Sequence, residues 1–119
     1  MQHYFKNLNI WKRSTDLVQS IYLITKSFPS EEKFGLTNQL RRAAVSVPSN
    51  IVEGCGRKGD KGLIQFCHIS IGSLCEVETQ LILSSKLEYI TKDEIEKTNA
   101  EVEEDRKMIY GFVKSIKND

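Results

Sequence analysis

Proline is nearly absent from this chain, with two in 119 residues, and aromatic residues make up only 8%. With so few helix breakers, and with Leu, Ile, Glu and Lys recurring in place of alternating Val/Thr-rich runs, the sequence argues against an all-β fold. No apolar run approaches the roughly 20 residues that span a bilayer. His3, Lys6 and Asn7 also interrupt the N-terminus, where a secretory signal would carry its apolar stretch. Cytoplasmic residence is the expectation. Paired cysteine spacing is missing as well: Cys55, Cys67 and Cys75 suit reduced, partly buried thiols rather than a disulfide framework.

No charge of one sign dominates. The net charge is +1, yet residues 1–60 carry nine Lys/Arg against five Asp/Glu, and residues 61–119 eight against eleven. Such a split can set a basic face against an acidic one. At 39% hydrophobic and 28% charged, the chain is long enough for one core and too short for two, so one domain over residues 1–119 is expected.

Apolar spacing marks four helices. The first runs from about Asn9 to Ser27, with Ile10, Leu17, Val18, Ile21, Tyr22 and Ile24 mostly at three- and four-residue steps, Trp11 anchoring its start, and Phe28-Pro29 ending it. Ser30 is placed to cap a short turn, with Gly35 as a left-handed exit. The second, Leu36 to Cys55, shows Leu40, Ala43, Ala44, Val47, Ile51 and Gly54 on one face. Pro48 lies inside it and removes a backbone hydrogen bond, so the helix either kinks, relieved by neighbouring side chains such as Asn50, or breaks in two.

The third helix, Lys61 to Lys86, carries a main stripe of Leu63, Phe66, Cys67, Ser70, Leu74, Val77 and Leu81. A second stripe, Ile64, Ile71, Cys75 and Ile82, lies about 100° away. It predicts a contact with another subunit or, alternatively, deep insertion within one chain. Gly72 with Ser70 and Ser73 offers a close helix approach. The fourth helix opens with Thr91-Lys92-Asp93-Glu94, a capping box. Ile95, Val102, Ile109 and Ile116 then recur every seven residues, with Thr98, Asp105 and Phe112 on the companion position. The run Glu101, Glu103, Glu104 and Asp105 reads as a solvated acidic face. Four such helices with short connections predict an all-α, antiparallel up-and-down four-helix bundle with a kinked second helix.

A search for chemistry finds no catalytic constellation. Di-iron bundles need Glu-x-x-His pairs, but Gln65 stands three before His68, and His3 falls in a tail. Neighbouring Cys67 and His68 diverge by about 100° on a helix, and His68 and Cys75 are separated by about 10 Å of rise. Gly54-x-Gly56-x-x-Gly59 follows a helix rather than a strand, so it is no dinucleotide fingerprint. Neither metal, cofactor nor small-molecule substrate is expected, and the chain reads as a non-enzyme.

The segment Gln39-Leu-Arg-Arg-Ala-Ala-Val-Ser-Val-Pro-Ser-Asn-Ile-Val-Glu-Gly54, followed by Gly56-Arg57, resembles the hallmark of the bacterial four-helix-bundle proteins known from intervening sequences within 23S rRNA genes. Trp11, Phe28-Pro29, Phe34-Gly35-Leu36, Gly72-Ser73-Leu74, Gln80-Leu81 and Tyr89-Ile90 extend the likeness over nearly the whole chain. The resemblance implies a left-handed bundle, a homo-oligomeric ring of five copies and no established enzymatic activity. A related branch is similar to the accessory protein of diversity-generating retroelements, which binds a reverse transcriptase and nucleic acid through basic surface. This chain departs from that branch in its mild net charge and acidic fourth helix.

Arg41, Arg42, Arg57 and Lys58 lie in or beside the hallmark and suit phosphate contacts with RNA. The first reading of these residues is structural, Arg57 pairing with Glu53 and Arg41 or Arg42 with acids of the third or fourth helix; subunit contacts come next, and nucleic-acid contact after them. The expected function is a homo-oligomeric scaffold associated with RNA or with a nucleic-acid enzyme. The alternative is a protein–protein adaptor with no nucleic-acid contact.

Overall fold

The computed structural model describes residues 3–117. A 3-10 turn over Phe5–Asn7 leads into α1 (Asn9–Thr25), and a second, Ser30–Glu32, leads into α2 (Leu36–Cys55). The remaining helices are α3 (Asp60–Lys86) and α4 (Lys92–Lys117).

Local signals set most of these boundaries. Ile10, Ser14, Leu17, Ile21 and Thr25 are spaced by fours and threes, and all five are buried along α1. The capping box at α4 forms as the sequence dictates: Glu94 N–H donates to Thr91 Oγ1 at 3.1 Å, and Thr91 N–H to Glu94 Oε1 at 2.8 Å. Two turn expectations are corrected. Ser30 makes no side-chain cap, and Gly35 has φ −109° rather than a left-handed value. Glu32 does the capping instead, accepting the Leu36 N–H at 3.1 Å, and it needs Gly35 there because a Cβ would sit 2.6 Å from Glu32 Oε1.

Each helix packs on its neighbours in sequence and α1 closes on α4, while the diagonal helices are too far apart to bring Cα atoms within 8 Å. Contacts at both ends fix the antiparallel sense. His3 meets Phe112 ring to ring at 5.4 Å at one end, so it is no loose tail, and Phe28 meets Tyr89 at 5.4 Å at the other. The resulting rod measures 46 × 24 × 20 Å.

The α2–α3 seam is the tightest, and small residues make it so. A Cβ on Gly54 would lie 2.9 Å from Phe66 Cβ and 3.2 Å from the Leu63 carbonyl. Ser46 hydrogen-bonds Ser73 across the seam, and Ser70 donates to the Val47 carbonyl at 2.8 Å. That last bond falls beside Pro48, through which α2 runs unbroken. Around the proline, Ser49 donates to the Val45 carbonyl and Asn50 Nδ2 to the Ser46 carbonyl, both at 2.8 Å. Pro48 and Asn50 therefore act on the helix itself.

On α4 the seven-residue pattern holds, with Thr98, Val102, Asp105, Ile109 and Ile116 buried. Asp105 corrects the solvated-face expectation, since it is fully buried. Gly72 is corrected too: it faces solvent with no atom within 4 Å of its would-be Cβ, while Ser70 and Ser73 make the close approach.

Candidate nucleic-acid and subunit surfaces

The four cations singled out by the sequence divide into two places. Arg41 and Arg42 lie in the first half of α2, and Arg57 and Lys58 follow its end, about 24 Å further along at 1.5 Å per residue. They do not form one cluster.

Arg41 is committed to the fold. Its Nε donates to Thr25 Oγ1 at 2.9 Å and its guanidinium lies 4.5 Å over the Tyr22 ring, so its partners are on α1 rather than acids of α3 or α4. Arg57 pairs with Glu53 at 2.9 Å, as its i,i+4 spacing predicts, and covers Phe66 at 4.8 Å. With both side chains more than half exposed, that ion pair adds little stability. Arg42 and Lys58 are exposed and enter no ion pair among the described residues. Arg42 borders open grooves on both sides of α2: one reaches Phe34, Ser73, Glu76 and Gln80, the other Tyr22, Val45 and Ser49. Lys58 borders a cleft of about 420 Å³ with His3, Cys55 and Leu63 at the opposite end of the rod.

The predicted subunit stripe also divides. Ile71 is only 6% exposed and belongs to the chain's own core, and Ile64 packs partly buried against that core. Both therefore serve deep insertion of α3, the alternative left open by the wheel. Cys75 and Ile82 remain on the surface. The apolar surface left uncovered is larger than they supply: Leu83 and Leu87 lie together at the end of α3, at 45% and 52% exposure, and Ile69, 43% exposed, lies on the same side about 21 Å along the helix, beyond Glu76 and Gln80. Phe34, at the head of the Arg42 groove, is 86% exposed.

The decisive likeness is in the sequence. The family model of the 23S rRNA-intervening sequence protein matches residues 6–111. This chain belongs to that family. The same fold is seen in a crystal structure from Bacteroides thetaiotaomicron, of a protein of unknown function from the S23 ribosomal protein family. It is 24% identical to this chain, superposes with a TM-score of 0.79, and the match covers 88% of this chain and 98% of that one. No curated protein matches the sequence.

Reactive groups are scarce on this member of the intervening-sequence family. Burial raises the Cys55 thiol and lifts Cys67 to about 12, helped by Cys55 nearby, so neither is a ready thiolate. Cys75 corrects the expectation of buried thiols by being exposed. Among the described residues no group of three His, Cys, Asp or Glu is arranged to hold a metal ion, and no helix is long and apolar enough to cross a membrane. His68 is exposed and lies against the Tyr110 ring, with centroids 6.4 Å apart and the ring planes at 68°.

Two linkages escaped the sequence. Ser14 Oγ on α1 lies 2.9 and 3.1 Å from the Asp105 carboxyl oxygens on α4. Burial raises that carboxyl to about 6 despite the opposing Ser14 hydrogen bond and the Arg13 charge. The only hint was the companion heptad position of Asp105. At the other end, Tyr89 donates to Glu32 Oε2 at 2.8 Å. The Leu36 amide and the Tyr89 hydroxyl lower the Glu32 carboxyl, and Glu32 in turn raises Tyr89.

Proposed function

We propose that this chain is a non-enzymatic scaffold that assembles with copies of itself and meets RNA, or an enzyme acting on nucleic acid, through the face around Arg42. The observation carrying this reading is the uncovered apolar surface at the end of α3, Leu83 and Leu87, with Ile69 further along the helix and Phe34 beside the Arg42 groove. Exposed apolar side chains gathered on one side of a helix mark an interaction surface. Gly72, on that side, lets another backbone approach closely. The family likeness supports a ring of five copies, and three unpaired cysteines suit a reducing cytoplasm.

Arg42 supports the nucleic-acid part because it is exposed, unpaired among the described residues and flanked by the amides of Asn38 and Gln39 and the hydroxyl of Ser46. Phosphate recognition by such a surface is electrostatic and falls steeply with salt. Binding to a 23S rRNA fragment should weaken as salt rises and on Arg42→Ala; binding that is absent at low salt, or indifferent to both changes, contradicts it. A Leu83→Asp/Leu87→Asp variant should sediment more slowly than wild type with its helical signal intact. A protein partner on the same apolar surface is the rival reading, supported by the Glu76 carboxylate in the Arg42 groove, which repels phosphate.

A further inference from the structure

The seam between α1 and α4 is the least extensive of the four, and at its middle sits a polar pair with too few protons. Ser14 Oγ is 2.7 Å from the Ile10 carbonyl and 2.9 Å from Asp105 Oδ2. Both are acceptors while Asp105 is ionised, and a hydroxyl has one proton to give. The Ile10 carbonyl also takes the Ser14 backbone N–H within α1, so the group left short is the carboxylate, which has at most the one Ser14 proton inside a core where Ser14 and Asp105 are both 0% exposed. With Asp105 protonated the shortage disappears. Its O–H donates to Ser14 Oγ, and Ser14 donates to the Ile10 carbonyl, so a single chain of bonds runs from α4 into the backbone of α1.

We propose that Ser14 and Asp105 form a proton-operated clasp, which holds α1 against α4 when the carboxyl is protonated and loosens α1 when it ionises. The charged surroundings leave the carboxyl exposed to this choice. On α1, Arg13 is the one cation acting on Asp105, and it lines an open cleft with Asp16 and Glu101. On α3, Glu78 is bound by Arg106 at 3.1 Å and Cys75 lies beside that pair. On α4, Glu103 is also bound by Arg106. The α2 helix lies diagonally across the core, with no Cα within 8 Å of one in α4. The titration centred at about 6 places the change within reach of cellular pH. Surface clefts flank the clasp, one at Arg13 and Glu101 and one at Ile10, Met108 and Phe112, so water stands ready on either side once the helices part.

Amide hydrogen exchange on the full chain tests this, with rates corrected for intrinsic pH dependence. The opening constant of α1 amides around Ser14 should rise on the order of fifty-fold between pH 4 and pH 7.5, and lose that dependence in Asp105→Asn. The substituted amide supplies the missing donor at every pH. Equal pH profiles for wild type and variant overturn the proposal. Carbon-13 carboxyl NMR of the wild-type protein gives an answer independent of whether the variant folds: a midpoint near 6 is expected, and one near 4 overturns it.

Discussion

The Arg41 guanidinium lies 4.5 Å above the Tyr22 ring while its Nε reaches Thr25 Oγ1 at 2.9 Å, so an arginine from the family hallmark ties α2 to α1. Its neighbour Arg42 points away into open grooves. Adjacent and chemically identical, the two should separate cleanly on mutation. Arg41→Ala should lower stability by about 1–2 kcal/mol through the lost stacking and hydrogen bond, whereas Arg42→Ala should change it by less than about 0.5 kcal/mol. Denaturant midpoints of the two variants check this. Arg41→Lys should recover little, because an ammonium cannot both stack flat on the ring and hold the Thr25 hydroxyl.

Asp105 gives the folded state a pH signature. Its carboxyl is raised from 3.8 to about 6 by burial, so between those values the folded protein holds more protons than the unfolded one. Stability from this group is complete below about pH 4, falls as pH rises through the window, and is lost above about 6, a change on the order of 2–3 kcal/mol. Wild type minus Asp105→Asn, measured by urea melts from pH 4 to 7.5, isolates the contribution from other carboxylates. At pH 7.5 the variant should be the more stable, and at pH 4 the gap should close.

Backbone geometry yields a pair of opposite effects. Glu88 has φ +62° at the end of α3, where Tyr89 N–H bonds the Ser84 carbonyl and Glu88 N–H the Ser85 carbonyl, the pattern that favours glycine. Glu88→Gly should stabilise by about 1 kcal/mol. Gly54→Ala should destabilise by about 1–3 kcal/mol, because its methyl has no room against Phe66 and Leu63. Thermal melts of both, run beside wild type, should shift in opposite directions.

Much of this fold was legible in the sequence because its signals are local. The α2 bounds follow from apolar spacing and the α4 start from the capping box, both of which act within a turn or two. Arg57 was legible for the same reason, its partner Glu53 standing four residues away. What could not be read depends on the partner helix. Ile71 and Ile82 occupy one wheel stripe, yet Ile71 is core and Ile82 surface, a difference that spacing along one helix does not encode. Asp105 looked like part of an acidic run, because only the Ser14 hydroxyl 91 residues away marks its place inside. Glu88 carries no glycine signal for the turn it makes.

Because Ile71 is part of the monomer core, Ile71→Asp should unfold the chain rather than dissociate an assembly. Leu83→Asp should do the reverse, leaving α3 folded and lowering the molar mass. Far-ultraviolet circular dichroism together with size-exclusion elution separates the two outcomes.

Self-association is the claim on which the functional proposal stands, and absolute mass by light scattering at micromolar concentration tests it most directly. The apolar surface of α3 predicts a multimer, at about five times the 13.6 kDa chain if the ring implied by the family likeness forms. A monodisperse, well-folded species of a single chain mass across that concentration range contradicts it.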